Sequence, residues 1–295
     1  MTMKIVIRLK KGGYMKLIER EPVGIIFRTF AQNESQVPER IAMVKTAIDK
    51  ALALSIEGMN VFKFVDILIP VDKRYPSSDC GLTASLIREA YSSQKRVRVH
   101  ELMGDLFCSL LNDGILIQFE SKVRYSMIVS PDAHEYLTEE NVRRMFSCIE
   151  EKGSLAVGLA INELRESILD GFIANTIALW HNKSLMSVGG FNLISAETEN
   201  DKRTHYLEGS DQDGKIVFYP IKGVEEVIPL AYMVKKYGRC ISAVEPLGVG
   251  HYEVIADEDL QKRHYAKMAT KRDRQDELLS LVGFHSSIIK NGLVL

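Results

Sequence analysis

The feature that most constrains this chain is the alternation of short apolar runs with helix-spaced segments from Val23 to Ile161. Val23–Phe27 is a compact apolar run that reads as a buried strand. Pro38 precedes Glu39–Leu54, where Ile41, Val44, Ala47, Ile48 and Ala51 recur at helical spacing. Phe64–Val71 is a second buried strand, Leu82–Tyr91 a helix, and Arg96–Leu102 a third strand of alternating basic and apolar residues. Leu106–Phe119 is a helix that is apolar almost all round, and Tyr125–Val129 is a fourth strand. Thr138–Lys152 is a helix whose first residue suits a cap, and Leu155–Ile161 is another strand. This pattern predicts an α/β fold with a mostly parallel sheet and helices on both faces. Such sheets bind ligands outside the carboxyl ends of their strands. The residues to inspect are therefore Arg28-Thr29, Asp72-Lys73, Gly104-Asp105 and Asp132-Ala133-His134.

The second half is less regular. Ser195–Gly214 is polar and charged and reads as a mobile loop or lid, and Ile216–Tyr219 as a short strand. Val224–Tyr237 reads as a helix with Pro229 in its first turn, and Cys240–Val244 is strand-like. Asp257–Leu281 is charged with an apolar stripe, so residues 256–295 are expected to form a helical extension that packs on the main domain, residues 1–255, or on a partner. Met3–Leu9 has the pattern of a short strand, ended by Gly12-Gly13.

Composition narrows the classes. A chain of 295 residues that is 46% hydrophobic is long enough for one large core. A formal net charge of −1 provides no overall field for nucleic acid. Cys80, Cys108, Cys148 and Cys240 form neither a CxxC nor a zinc pattern, which fits a reducing compartment. The basic start Met1–Lys11 has too short an apolar part for a signal peptide, and no run approaches the roughly 20 apolar residues of a membrane span. The expectation is a cytoplasmic protein without a nucleic-acid partner.

Four segments in chain order resemble family 2-type glycosyltransferases of the GT-A fold. Leu110-Leu-Asn-Asp-Gly-Ile115 resembles the family's A-x-N-x-G-I helix. Met127-Ile-Val-Ser-Pro-Asp-Ala-His134 resembles its hydrophobic strand followed by D-x-D, in the D-x-H variant. Asn175–Asn192, ending Ser-Val-Gly-Gly-Phe-Asn, resembles its V-G-G-F-[DN] segment on the acceptor side. Glu225-Glu226-Val-Ile-Pro-Leu230, followed by Lys235-Lys-Tyr-Gly238, resembles E-D-x-x-L…[RK]-x-x-G, whose second acid is the base. The resemblance covers Val23 to Tyr252, and the ordered set is more specific than any member. It departs from the family at Asp72-Lys-Arg-Tyr, where D-D-G-S is usual, and at Glu-Glu in the base motif; the Q-x-x-R-W motif of processive synthases is absent.

The resemblance implies a metal-dependent, inverting, non-processive transferase of the hexosyl or N-acetylhexosaminyl type. It would use a UDP- or GDP-linked donor with Mn²⁺ or Mg²⁺. A divalent cation offsets the charge of a diphosphate leaving group. Asp132 and His134, two apart at a strand end, would share a face toward one ion, and His251 after Leu247-Gly-Val-Gly250 is the candidate third ligand. A turn cap at Asp132 and a surface histidine at His251 are the bland alternatives. Glu226 is the candidate base and Glu225 the fallback; acids near a helix start are also favoured by its dipole. Arg28, Thr29, Asp72, Lys73, Asp105 and Asp132 are assigned to the nucleotide sugar, with Asn112 as the helix residue that supports the loop. Trp180, Gly189 and Gly190 are assigned to the acceptor side, against a core role for the tryptophan. Two other readings stay open: a GT-A-like binding or regulatory module without turnover, and a nucleotidyltransferase, against which the absence of glycine in Arg28-Thr-Phe-Ala-Gln counts.

Overall fold

The structure is a computed structural model. It describes residues 22–29, 31, 34–70, 80–103, 108–160, 173, 175–192, 206–210, 216–220, 224–247, 275–276 and 278–294. The expected strand Met3–Leu9 and most of Asp257–Leu281 lie outside these residues.

The strands are β1 (Val23–Arg28), β2 (Ser55–Ile56), β3 (Met59–Asn60), β4 (Phe62–Pro70), β5 (Val97–Leu102), β6 (Tyr125–Val129), β7 (Ala156–Leu159), β8 (Ile177–His181), β9 (Tyr206–Ser210), β10 (Ile216–Pro220) and β11 (Ile241–Val244). The helices are α1 (Val37–Ala53), α2 (Cys80–Ala90), α3 (Cys108–Glu120), α4 (Glu139–Lys152), α5 (Asn182–Met186), α6 (Val227–Tyr237) and α7 (Ile288–Asn291). Seven strands form one sheet in the order β11-β7-β8-β6-β1-β4-β5. The β1, β4, β5 and β6 pairings are parallel, as is β7 with β11, while β8 runs antiparallel to both β6 and β7.

Both faces are covered because alternate strand residues point opposite ways. Ile25, Phe27, Val65, Ile67, Met127 and Val129 face a core closed by Val44 and Ile48 of α1, Ile87 of α2, and Met145 and Phe146 of α4. Their neighbours Ile26, Leu68, Ile128, Ala178 and Trp180 face a second core closed by Leu111 and Ile115 of α3, Leu185 of α5, and Ile228 and Ala231 of α6. Each fully buried aliphatic or aromatic side chain contributes about 1.5–3 kcal/mol. Continuous apolar strands such as β1 and β6 follow from this double coverage.

Three local readings change. The segment Ser195–Gly214, expected as a loop, contains β9, which pairs antiparallel with β10 in a hairpin. The helix expected from Val224 begins at Val227, so Glu225 and Glu226 precede it, with Glu226 at the cap position. The hairpin β2–β3 was not expected; it turns through Glu57 and Gly58, both at positive φ, which matches a tight two-residue turn.

The chain end also has a place. The stretch from Leu278 to Val294 packs on α6, with Phe284 edge-on to Tyr232 at 5.0 Å. Leu293 forms a parallel bridge with Ile241, which gives the edge strand β11 a partner.

Candidate functional site

Four chain segments meet where the parallel strands end. The first is the end of β1. Thr29 is buried, its N–H donating to Leu68 O at 3.1 Å, and Arg28 before it reaches Glu225 with Nη2 to Oε1 at 3.2 Å. The second is the start of α6, where Glu225 and Glu226 are both buried. The third is the approach to β8. The Asn175 N–H donates to Glu226 Oε1, and Asn175 Oδ1 accepts from Trp180 Nε1 at 2.9 Å. The fourth is the exit of β6, where Ser130 N–H donates to Thr176 O at 2.9 Å. A chain of contacts therefore runs from Glu226 through Asn175 and Thr176 to Ser130, two residues before Asp132. β8 makes this possible: being antiparallel, it starts at the edge where its neighbours finish.

Asn175 was not singled out from sequence. Trp Nε1 is only a donor, so the contact with Trp180 fixes which end of the Asn175 amide is oxygen. That leaves Asn175 Nδ2 buried and without a partner among the described residues, at a residue 3% exposed. Such a donor costs about 1–3 kcal/mol until an acceptor arrives. Asn175 opens the segment that resembles V-G-G-F-[DN], but its closeness to Glu226 is a tertiary fact that no local pattern carries.

Asp132 and His134 do not sit on a strand. Pro131–Tyr136 is a 3-10 turn, with Pro131 at its first positions and Ala133 N–H bonded to Ser130 O at 2.9 Å. A 3-10 helix turns about 120° per residue, so alternate residues do not share a face as they would in a strand. The shared-face expectation is thereby corrected. Asp132 is exposed and His134 half-buried, with His134 Nδ1 at 2.8 Å from Pro131 O. Pro131 O is only an acceptor, so Nδ1 is the donor here, and the neutral tautomer with this bond has its lone pair on Nε2. Metal-binding histidines are commonly fixed in this way.

The turn is tied to the chain that leaves β11. Asn141 Nδ2 donates to Tyr136 O at 3.0 Å, and Asn141 Oδ1 accepts from Leu247 N–H at 2.8 Å. Arg144 donates to Glu245 O. Leu247 lies four residues before His251, which, with Asp72, Lys73 and Asp105, is outside the described residues. Among the described residues no three His, Cys, Asp or Glu side chains converge to hold a metal.

Asn112, Gly190 and Trp180 make packing contacts. Asn112 binds the main chain of Phe191 with both ends of its amide, Nδ2 to O at 2.8 Å and Oδ1 from N at 2.7 Å. A Cβ on Gly190 would stand 2.4 Å from Asn112 Oδ1, and Gly189 and Gly190 have φ of +93° and +70°. The A-x-N-x-G-I and V-G-G-F segments thus form one clamp. Gly114 of the first admits α3 against β4, since a Cβ there would meet Leu68 at 2.6 Å. Trp180 is fully buried and edge-on to Phe191 at 5.3 Å, so its indole presents no open face to a sugar.

No family model matches this sequence, and no curated protein matches it. Solved structures do match. The chain is similar to a mannosyltransferase from Pyrobaculum calidifontis, solved with GDP-Man and Mn²⁺, at 12% identity and a TM-score of 0.56, over 92% of this chain and 69% of that one. It is also similar to mannosyl-3-phosphoglycerate synthase from Rubrobacter xylanophilus at 12% identity and a TM-score of 0.49, over 92% and 78% of the two chains. A cytidylyltransferase from Leptospira borgpetersenii aligns at 12% identity and a TM-score of 0.44, over 93% and 99%. The mixed sheet, its single antiparallel strand at β8 and the first of these likenesses give this chain the GT-A, nucleotide-diphospho-sugar transferase fold.

Proposed function

We propose that the protein is a metal-dependent, inverting, non-processive glycosyltransferase, of the hexosyl or N-acetylhexosaminyl type, acting on an acceptor hydroxyl. The observation that carries this reading is the hydrogen-bonded chain from the buried Glu226 to Ser130 beside Asp132. A carboxylate that is buried and also fixed by a main-chain N–H is oriented before substrate arrives.

In the proposed reaction Glu226 accepts the acceptor's hydroxyl proton. The acceptor oxygen bonds to the anomeric carbon as the bond to the diphosphate oxygen breaks, and the nucleoside diphosphate departs. Arg28 and Thr29 at the end of β1, with Asp72, Lys73 and Asp105, hold the nucleotide in this reading, and the amide of Asn175 meets a ligand oxygen. Asp132 and the Nε2 of His134 are suited to Mn²⁺, which accepts oxygen and imidazole, with His251 as the third ligand. When bound, that ion stabilises negative charge on the diphosphate.

Arg28 already pairs with Glu225, and this favours a second reading, a nucleotide-binding module without turnover. Both place a UDP- or GDP-linked ligand at this edge, in a cytoplasmic protein. No described helix is long and apolar enough to cross a membrane. The test is thermal unfolding with UDP, GDP and their sugars, with and without Mn²⁺. A ligand of the native state raises the midpoint as its concentration exceeds Kd. A rise that needs both nucleotide and metal is expected; no rise with any of them overturns both readings.

A further inference from the structure

The sheet edge opposite the candidate site carries a cationic face. Lys122 and Arg124 lead into β6, Lys183 follows β8, Lys152 ends α4, Lys235 and Lys236 end α6, Arg239 leads into β11, and Lys290 lies in α7. All eight are exposed. Against them, the described acids in the closing turns of α3 and α4 are Glu120, Glu150 and Glu151, in a chain whose formal net charge is −1.

Hydrogen bonds join these segments into one surface. Asn182 N–H donates to Arg124 O at 2.9 Å, and Arg124 Nε lies 3.3 Å from His181 Nε2. Lys236 Nζ donates to Ser187 O at 3.1 Å, and the Tyr237 hydroxyl lies 2.7 Å from Ser187 Oγ. Arg239 Nε donates to Leu293 O at 2.8 Å. Burial, then the charges of Arg124 and Lys183, push the His181 imidazole down to about 4, in keeping with a concentration of positive charge here.

Helix ends alone do not account for this face. The dipole favours cations in a last turn, which covers Lys152, Lys183, Lys235, Lys236 and Lys290. Arg124 and Arg239 lie beyond their helices. The cations also spread across four adjacent strands, β6, β8, β7 and β11, a width of roughly 15–20 Å. A two-dimensional array at the level of the strand ends matches a plane better than a groove that tracks a polynucleotide. Tyr237 and Met186 stand among the cations, 40% and 36% exposed. Tyrosine, apolar in body and polar at its tip, suits a water–lipid boundary.

We propose that this face docks the protein on the surface of a bilayer containing anionic phospholipid. α6 runs between the two edges, and its 11 residues separate them by roughly 16 Å. The docked molecule therefore turns the candidate site toward water, and its ligands arrive from the aqueous side. Attraction of basic segments to anionic headgroups is strong near the surface and screened by salt.

The test is flotation of the full chain with vesicles of phosphatidylcholine alone or with about 30% phosphatidylglycerol. The expected result is co-flotation with the anionic vesicles only, lost on raising salt. Two charge-reversal pairs, Lys235→Glu with Lys236→Glu and Lys122→Glu with Lys183→Glu, each lower the bound fraction about tenfold while the thermal midpoint is kept. Equal flotation with neutral vesicles, no flotation with anionic ones, or insensitivity to both pairs overturns the proposal. So does retention of single-stranded polyuridylate by a protein that fails to float. Vesicle binding needs no nucleotide, so its failure is distinguishable from failure of the transferase reading.

Discussion

Arg28 and Glu225 stand 197 residues apart in the chain and form an ion pair of 3.2 Å at the strand-end edge, with side chains 20% and 9% exposed. The pair joins the end of β1 to the start of α6. Removing either partner from a largely dry pair strands the other charge. Arg28→Ala and Glu225→Ala are each expected to lower the urea-unfolding free energy by about 2 kcal/mol. The double variant should lose about 1–2 kcal/mol less than the sum. Strict additivity would show that the pair contributes nothing to the fold.

Asn112 is expected to be a stability residue. Its amide makes two hydrogen bonds to the Phe191 main chain, and Gly190 leaves no room beside it. Asn112→Ala should cost about 2–3 kcal/mol, read from the denaturant midpoint. An unchanged midpoint with weakened nucleotide binding would return Asn112 to the ligand.

A buried carboxylate on β4 sets the acid limit of the fold. Asp66 is fully buried, bound twice by Arg98 at 2.7 Å, once by His100 at 2.7 Å and once by Gln118 at 2.9 Å. Burial alone would push its carboxyl up. The hydrogen bonds from His100 and Arg98, the Arg98 charge and the Gln118 amide outweigh burial and hold it below the usual range. A lowered carboxyl stabilises the fold above its unfolded value near 3.8, and that stability is lost as pH falls through the lower folded value. Asp66→Ala should cost roughly 3–5 kcal/mol at neutral pH and flatten the acid limb of the stability curve.

His181 acts in the next pH window up. Its folded value, about 4, lies below 6.5, so the unfolded chain takes up a proton first as pH falls. Stability therefore declines from about pH 6.5 toward 4, with a slope approaching one proton. His181→Gln should reduce that slope, measured as urea midpoint against pH.

Much of the sheet was legible because β1, β4 and β6 are buried on both faces and so read as unbroken apolar runs. β8 was not assigned as a strand: it is five residues long and is inserted antiparallel between β7 and β6, the latter about 50 residues earlier in the chain. The shared face expected of Asp132 and His134 requires extended chain beyond Val129, and Pro131 marks the break, since proline lacks the N–H a ladder needs. In the site, Arg28 was assigned to the nucleotide and Glu225 was the fallback for the base Glu226; the pairing of Arg28 with Glu225 is a tertiary fact that no local pattern carries. Asn112 and Gly190 belong to recognisable segments, but only the fold shows that those segments bind each other.

The central claim, that Glu226 takes a proton in transfer from a nucleotide sugar, is tested most directly by Mn²⁺-dependent release of nucleoside diphosphate. The wild type and Glu226→Gln should be compared across UDP- and GDP-sugars with an acceptor panel. Release by the wild type is expected to be abolished by chelation and lowered about 10²–10⁴-fold in Glu226→Gln, with nucleotide binding retained. Equal release by both proteins, or none by a wild type that binds the donors, would contradict it.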